Sequence, residues 1–383
     1  MGESMNTTDL EKSTDYDRLV TKFGLSYLRN IMKRIKNPHT WIRREIIFAH
    51  RDFDKILDLR EKGKRFSVVS GRGPSNKIHL GHLGVFSVVK WIQDEYDAEV
   101  YIPLSDDEKY VFRKINGLRD ALYYAYDNAL DIAALGYKTK ITHFFVSTKY
   151  PPLYEYSVRL SRYATFSTIK AIFGFTHDTN PGAIFYPIVQ SAHILLPTIE
   201  KGLPVVVPIA IDQDPYIRLT RDIAERLDYF KPAALHSKFL SGLDGKPMSA
   251  SKPETAIFTD DDNKTIKRKI WKALTGGQGT LAKQRKFGGN PDKCVVYEWF
   301  RAYSLRSDDD LKIIYNECKS GDRFCGQCKK ELTKDIITIL KEHRKKKMEL
   351  INKIDRFFLH DVDMDIINKI AEHLEKIVVN ANE

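Results

Sequence analysis

The chain has 383 residues, 42% hydrophobic and 11% aromatic, enough to fill the cores of two or three domains and too apolar for disorder beyond its ends. Lys and Arg number 62 against 51 Asp and Glu, a net charge of +11. That balance favours a polyanionic partner, nucleic acid first, with a scattered positive surface as the alternative.

Residues 1 to about 15 read as a flexible polar tail. The tail has no apolar core, so no secretory signal is expected. Asn6 also stands where a myristoylation motif wants Ser or Thr. Residues 16–60 read as a helical extension, with Leu25, Leu28, Ile31 and Met32 at helical spacing. From Phe66 the pattern changes: "FSVV", "EVYIPL", "ITHFFVS" and "LPVVVPIAI" are near-continuous apolar strands. Helical stretches through "VFSVVKWIQDEY", "SDDEK" and "DQDPYIRLTRDIAERL" alternate with them. Buried strands alternating with helices predict a doubly wound, Rossmann-like parallel sheet over 61–261, an α/β domain. After about Asp260 only helical patterns remain, so an all-helical domain is expected over 262–350, with helices of 351–383 packing back on the body. No apolar run approaches a membrane span, so no membrane association and a cytoplasmic location are expected.

The four cysteines, Cys294, Cys318, Cys325 and Cys328, all fall in the last quarter of the chain. Without a signal sequence they suggest a reduced compartment. Cys325 and Cys328 form a lone C-x-x-C with Cys318 as a third candidate, short of the set of about four that zinc takes, so no metal is expected.

The stretch "SVVSGRGPSNKIHLGHLGVF" carries the first chemistry. A strand ends in a glycine turn, where ligands of wound sheets bind. Glycines admit a ligand close to the backbone, and a helix start offers free N–H groups to an anion. His79 and His82, three residues apart, lie on one face of the first turn and converge on the space phosphate oxygens would take. Asn76 stands where a dinucleotide fingerprint would need glycine. Solvated or capping histidines are the alternative. Ser105–Glu108, S-x-x-E, also fits a helix capping box, which competes with a ligand role for Glu108. Asp214 and Pro215 fit a helix start.

H-L-G-H at 79–82 resembles the "HIGH" motif of class I aminoacyl-tRNA synthetases, and "KPMSAS" at 246–251 resembles their "KMSKS" loop. "DYDRLVTKFG", "FAHRDF", "SGRGPS", "SDDEKY", "ATFSTIKAIFGFT", "AIDQDPYIRLTRD" and "RKFGGN" make the chain similar, from about Asp15 to His343, to tryptophanyl-tRNA synthetases of the archaeal and eukaryotic kind. The resemblance implies ATP-dependent activation of L-tryptophan and its transfer to tRNA(Trp), Mg²⁺ arriving with ATP, and a homodimer. His79, His82, Lys246 and Lys109 would then be catalytic. Arg72, Gly81, Asp212, Met248, Ser249 and Ser251 would hold ATP, and Glu108, Gln190 and Gln213 tryptophan. Two departures stand out. Pro247 occupies the usual lysine position, leaving Lys246 one residue early, and Val69 and Pro103 stand where eukaryotic members read the indole N–H. Tyrosine activation, or RNA binding without activation, remain as alternatives. Lys264, Lys267, Arg268, Lys269 and Lys272, with Arg344–Lys347, would meet the tRNA backbone or form a solvated face.

Overall fold

The computed structural model describes residues 16–248 and 252–382. The tail read over 1–15, and Ser249 and Ser251 of the signature loop, lie outside the described residues.

Seven strands form one sheet: β1 (Ser26–Tyr27), β2 (Ile47–Arg51), β3 (Ser67–Val69), β4 (Glu99–Leu104), β5 (Thr142–Val146), β6 (Val205–Ala210) and β7 (Ala233–Ser237). Their order is β1-β2-β7-β6-β3-β4-β5. The run β7-β6-β3-β4-β5 is parallel throughout, as the apolar strands predict. Helices Leu80–Tyr96 and Asp106–Val111 follow β3 and β4, and helix Asp214–Arg226 follows β6. On one face Val69, Tyr101, Phe145, Ile188, Ala192 and Leu195 pack into a continuous core. Chain order reverses at the β3–β6 boundary, the switch point where wound sheets bind their ligands.

The reading of 16–60 as helical needs correction. β1 and β2 lie inside it and extend the sheet antiparallel beyond β7. Leu25 and Leu28 are buried as expected, but around a short strand and a 3₁₀ turn (Leu28–Arg34). Two- and five-residue strands are too short for a clear alternation of faces to show. β7 is "AALHS", whose alanines carry little strand propensity.

The membrane expectation also needs amending. Helix Pro181–Lys201 is 21 residues long, and 72% of its most apolar window is buried inside the protein. Asn180 caps it through the Ala183 N–H at 2.9 Å, and Pro181 sits in its first turn. Pro187 and Pro197 lie inside the helix, so the run does not read as a helix in sequence.

The chain divides into two compact units. The first holds the sheet and takes in residues up to Asn76, Val85–Lys238 and Asn352–Ile367. The second takes in Lys77–Gly84, Phe239–Ile351 and the chain from Asn368. In the second, helix Cys325–Leu350 packs against helices Asn263–Trp271 and Val295–Tyr303. Ile266, Ile270, Trp299, Phe300, Leu332, Ile336 and Leu340 are fully buried there.

Candidate active site

In the first unit the glycine turn leaves β3 and runs beside the end of β4. The Arg72 N–H donates to Pro103 O at 2.9 Å, and the Ser105 N–H donates to Arg72 O at 2.9 Å. Gly73 is the tight point, since a Cβ there would collide with Lys109 Cε and Glu108 Oε2. Glu108 and Lys109 therefore lie against bare backbone, paired at 2.7 Å. The capping box does not form. The Ser105 side chain makes no cap bond, its N–H goes to Arg72, and Glu108 is left for Lys109. Arg72 is fixed by Nε donating to Asn128 Oδ1 at 3.0 Å, and Asn128 is fully buried. Burial lowers Arg72 to about 10, the nearby Glu108 opposing. Its Nη2 is buried with no hydrogen-bond partner among the described residues.

Around this turn stand groups the sequence did not single out. Asp106 is buried and accepts the Thr148 N–H at 3.1 Å. Asp107 accepts the Tyr154 hydroxyl at 3.1 Å. Burial, with the Asp106 carboxylate beside it, pushes Asp107 up to about 7. The Tyr186 hydroxyl donates to Gln190 Oε1 at 2.6 Å one helical turn on. Burial raises Tyr186, with Glu108 and Asp107 adding to the rise; it raises Tyr216, with Glu108 and Asp212 adding. Tyr186 and Phe112 meet edge to face at 5.8 Å, Tyr186 and Tyr216 at 6.3 Å. Aromatic rings here stand beside the carboxylates of Asp107 and Glu108, which suits a ring carrying an ammonium. Asp212 and Gln213 follow β6, with Gln213 Nε2 donating to Asp212 Oδ2 at 3.0 Å. Asp214 is no exposed cap: it is fully buried against Arg51 Nη2 and His236 Nε2, each at 3.0 Å. Val69 is buried in the core and Pro103 packs on Gly71, so neither offers an acceptor side chain.

His79 and His82 belong to the second unit. Their rings stack at 3.6 Å between centroids, 26° from parallel. The His79 N–H lies 3.4 Å from His82 Nδ1, and Phe258 sits edge-on to His79 at 5.9 Å. The backbone here is held by strand-like bonds, Leu80 N–H to Ile257 O and Thr259 N–H to Ile78 O, both 3.0 Å. Gly81 sits close beneath its neighbours, since a Cβ would stand 3.1 Å from His79 Nδ1 and from Met248 Sδ and one of them would have to shift. Met248 of the signature loop thus lies over the histidine turn, as the two motifs suggest. The loop enters as a small hairpin with Ser241 bridged to Pro247 and Gly245 in the left-handed region. Lys246 projects from it, exposed.

Three of the basic residues offered for tRNA turn inward. Lys269 is 3% exposed, with Nζ donating to Ala256 O at 2.9 Å and to Asp261 Oδ2 at 2.6 Å. Arg344 is buried, with Nε donating to Thr259 O at 2.7 Å, and Lys347 is buried too. Arg268 pairs with Glu254. Lys264, Lys267, Lys272, Lys345 and Lys346 face outward.

A family model described as tRNA synthetases class I (W and Y) matches residues 61–341. The chain is 44% identical over 359 residues to a tryptophan–tRNA ligase of Thermococcus onnurineus, spanning 91% of this chain and 92% of that protein. It is 43% identical over 372 residues to one of Pyrobaculum arsenaticum, spanning 94% and 99%. Its structure is similar to the tryptophanyl-tRNA synthetase of Plasmodium falciparum, with TM-score 0.84 and 35% identity over 92% of this chain and 99% of that one. For the enzyme of Aeropyrum pernix the TM-score is 0.82 at 32% identity, over 94% and 96%.

Proposed function

The chain belongs to the class I tRNA synthetases of the W and Y family as an aminoacyl-tRNA ligase for tryptophan, and from that premise we propose how its residues divide the chemistry. The tryptophan carboxylate attacks the α-phosphate of ATP, forming the adenylate and releasing pyrophosphate. The terminal hydroxyl of tRNA(Trp) then takes the aminoacyl group and AMP leaves. No covalent enzyme intermediate is involved, so the protein contributes positioning and charge stabilisation.

Glu108 receives the tryptophan ammonium. That ammonium replaces Lys109 as its partner and frees Lys109 for a phosphate oxygen. The unpartnered Nη2 of Arg72 takes an oxygen of ATP. Gln190, held by Tyr186, and Gln213 contact the amino acid, and Asp212 the ribose. His79 and His82 donate to phosphate oxygens as negative charge builds. Gly81 leaves room for that approach. Lys246, Met248, Ser249 and Ser251 attend the leaving pyrophosphate. Mg²⁺ comes with ATP, carried by its phosphates and waters. The working form is a homodimer in the cytoplasm.

One observation carries this division: beneath the bare backbone of Gly73, a carboxylate and an arginine donor stand beside an aromatic wall. Pyrophosphate exchange with each aromatic amino acid tests it. Exchange with tryptophan and not tyrosine is expected. Exchange with tyrosine alone, or with neither, would overturn it.

A further inference from the structure

In the second unit the histidine turn hangs on one stretch of chain, residues 256–261. Ile78 O accepts the Thr259 N–H at 3.0 Å and the Thr259 hydroxyl at 3.4 Å, and the Leu80 N–H donates to Ile257 O at 3.0 Å. His79 is bridged antiparallel to Phe258, and the two rings meet edge-on at 5.9 Å. Ala256, Ile257, Phe258 and Thr259 are buried.

The cations that hold this stretch have no part in the chemistry proposed above. Arg344 of helix Cys325–Leu350 donates from Nε to Thr259 O at 2.7 Å and from Nη2 to Asp261 O. Lys269 of helix Asn263–Trp271 donates to Ala256 O at 2.9 Å and to Asp261 Oδ2 at 2.6 Å, and that carboxylate accepts the Phe258 N–H at 3.0 Å. Lys77, two residues before His79, pairs with Asp260 and lies 3.1 Å from His373 Nε2.

Buried cations are a poor way to gain stability, since apolar side chains of like volume often do as well. What they add is direction. A guanidinium fork donating to two carbonyls, two residues apart, sets the line of the backbone between them. Thr259 joins the two sides: Arg344 holds its carbonyl, and its N–H holds Ile78, the residue before His79. An imidazole misplaced by about 1 Å can lose about a hundredfold in rate, so the line of this stretch matters to the chemistry.

We propose that Arg344 is a positioning residue for the activation step, acting through Thr259 and Ile78 to set where the His79 imidazole stands, with Lys269 acting likewise through Asp261 and Phe258. The proposal rests on the reading that His79 serves that step.

The test uses the full chain with Arg344→Met and Arg344→Lys, each alone, and Arg344→Met combined with His79→Ala. Pyrophosphate exchange gives kcat and KM, and adenylate formation counts the active sites. Arg344→Met should lower the exchange rate per active site roughly tenfold or more, with KM for tryptophan within about twofold. Arg344→Lys keeps the charge and a donor, so its rate should recover part of that loss. A merely structural role would reduce the number of sites and leave the rate at each one. In the His79→Ala chain, Arg344→Met should cost far less than in the parent, because the imidazole it aims is gone. An unchanged rate per site, or an undiminished second loss, would overturn the proposal. Should Arg344→Met fail to fold, Arg344→Lys decides by the same rate per site. Full exchange by His79→Ala alone would overturn the reading beneath the proposal and the proposal with it.

Discussion

His82 illustrates what a single side chain contributes. Its ring is stacked on His79 and partly exposed. His82→Ala should lower pyrophosphate exchange about a hundredfold while the thermal midpoint stays in place. An unchanged turnover would remove it from the mechanism. Asp107 makes a different prediction. Folding raises its pKa from 3.8 to about 7, so the folded chain holds a proton that the unfolded chain has released. The stability this proton brings is complete below about pH 4 and is lost as pH rises through 7. Asp107→Asn keeps the shape without the titration, so its melting temperature should fall less than the parent's across pH 4–7. Glu108, His79 and His82 could be proposed from the sequence because their motifs are local. Asn128 was not, because it meets Arg72 across 56 residues from the middle of a helix. Asp107 and Tyr154 were hidden likewise, since burial, not spacing, gives them their character.

At the scale of elements, the four parallel strands from Ser67 to Ala210 and the helices that follow three of them could be read because buried parallel strands are unbroken apolar runs; helices Leu118–Ala133, Pro151–Ser161 and Phe166–Phe173 were not singled out. Helix Pro181–Lys201 could not, since its prolines look like breaks, and β1 and β2 are too brief to show a period. What holds β2 is an ion pair no local pattern reveals. Arg51 of β2 reaches Asp214 at the start of helix Asp214–Arg226, and His236 of β7 meets the same carboxylate. Burial alone would raise Asp214, but His236 and Arg51 outweigh it and hold it below the usual carboxylate range. Asp214→Ala leaves the partly buried Arg51 and buried His236 without their carboxylate and should cost about 3 kcal/mol, read as a lower urea midpoint. The stability from Asp214 is present above its unfolded pKa and is lost as pH falls through its lowered one.

For the whole molecule, composition proved informative about partner class and less so about individual contacts. The net charge of +11 fits a polyanionic substrate. Yet Lys269, Arg344 and Lys347 spend their charges inside, and nothing in a run such as "RKKK" says which members turn in. The outward remainder predicts a salt signature. Between about 50 and 200 mM salt the KM for tRNA should rise roughly tenfold or more, while pyrophosphate exchange at saturating tryptophan and ATP should barely move. Parallel losses in both would mean that salt acts on the fold. The pairing of Glu108 with its own neighbour Lys109 reaches further, into pharmacology. With Glu108 in its proposed role, a competitor needs a cation able to displace an internal one, so indole acids stripped of their amine should start at a disadvantage. Inhibitors that keep the amine and replace the carboxylate inherit the better half of the recognition.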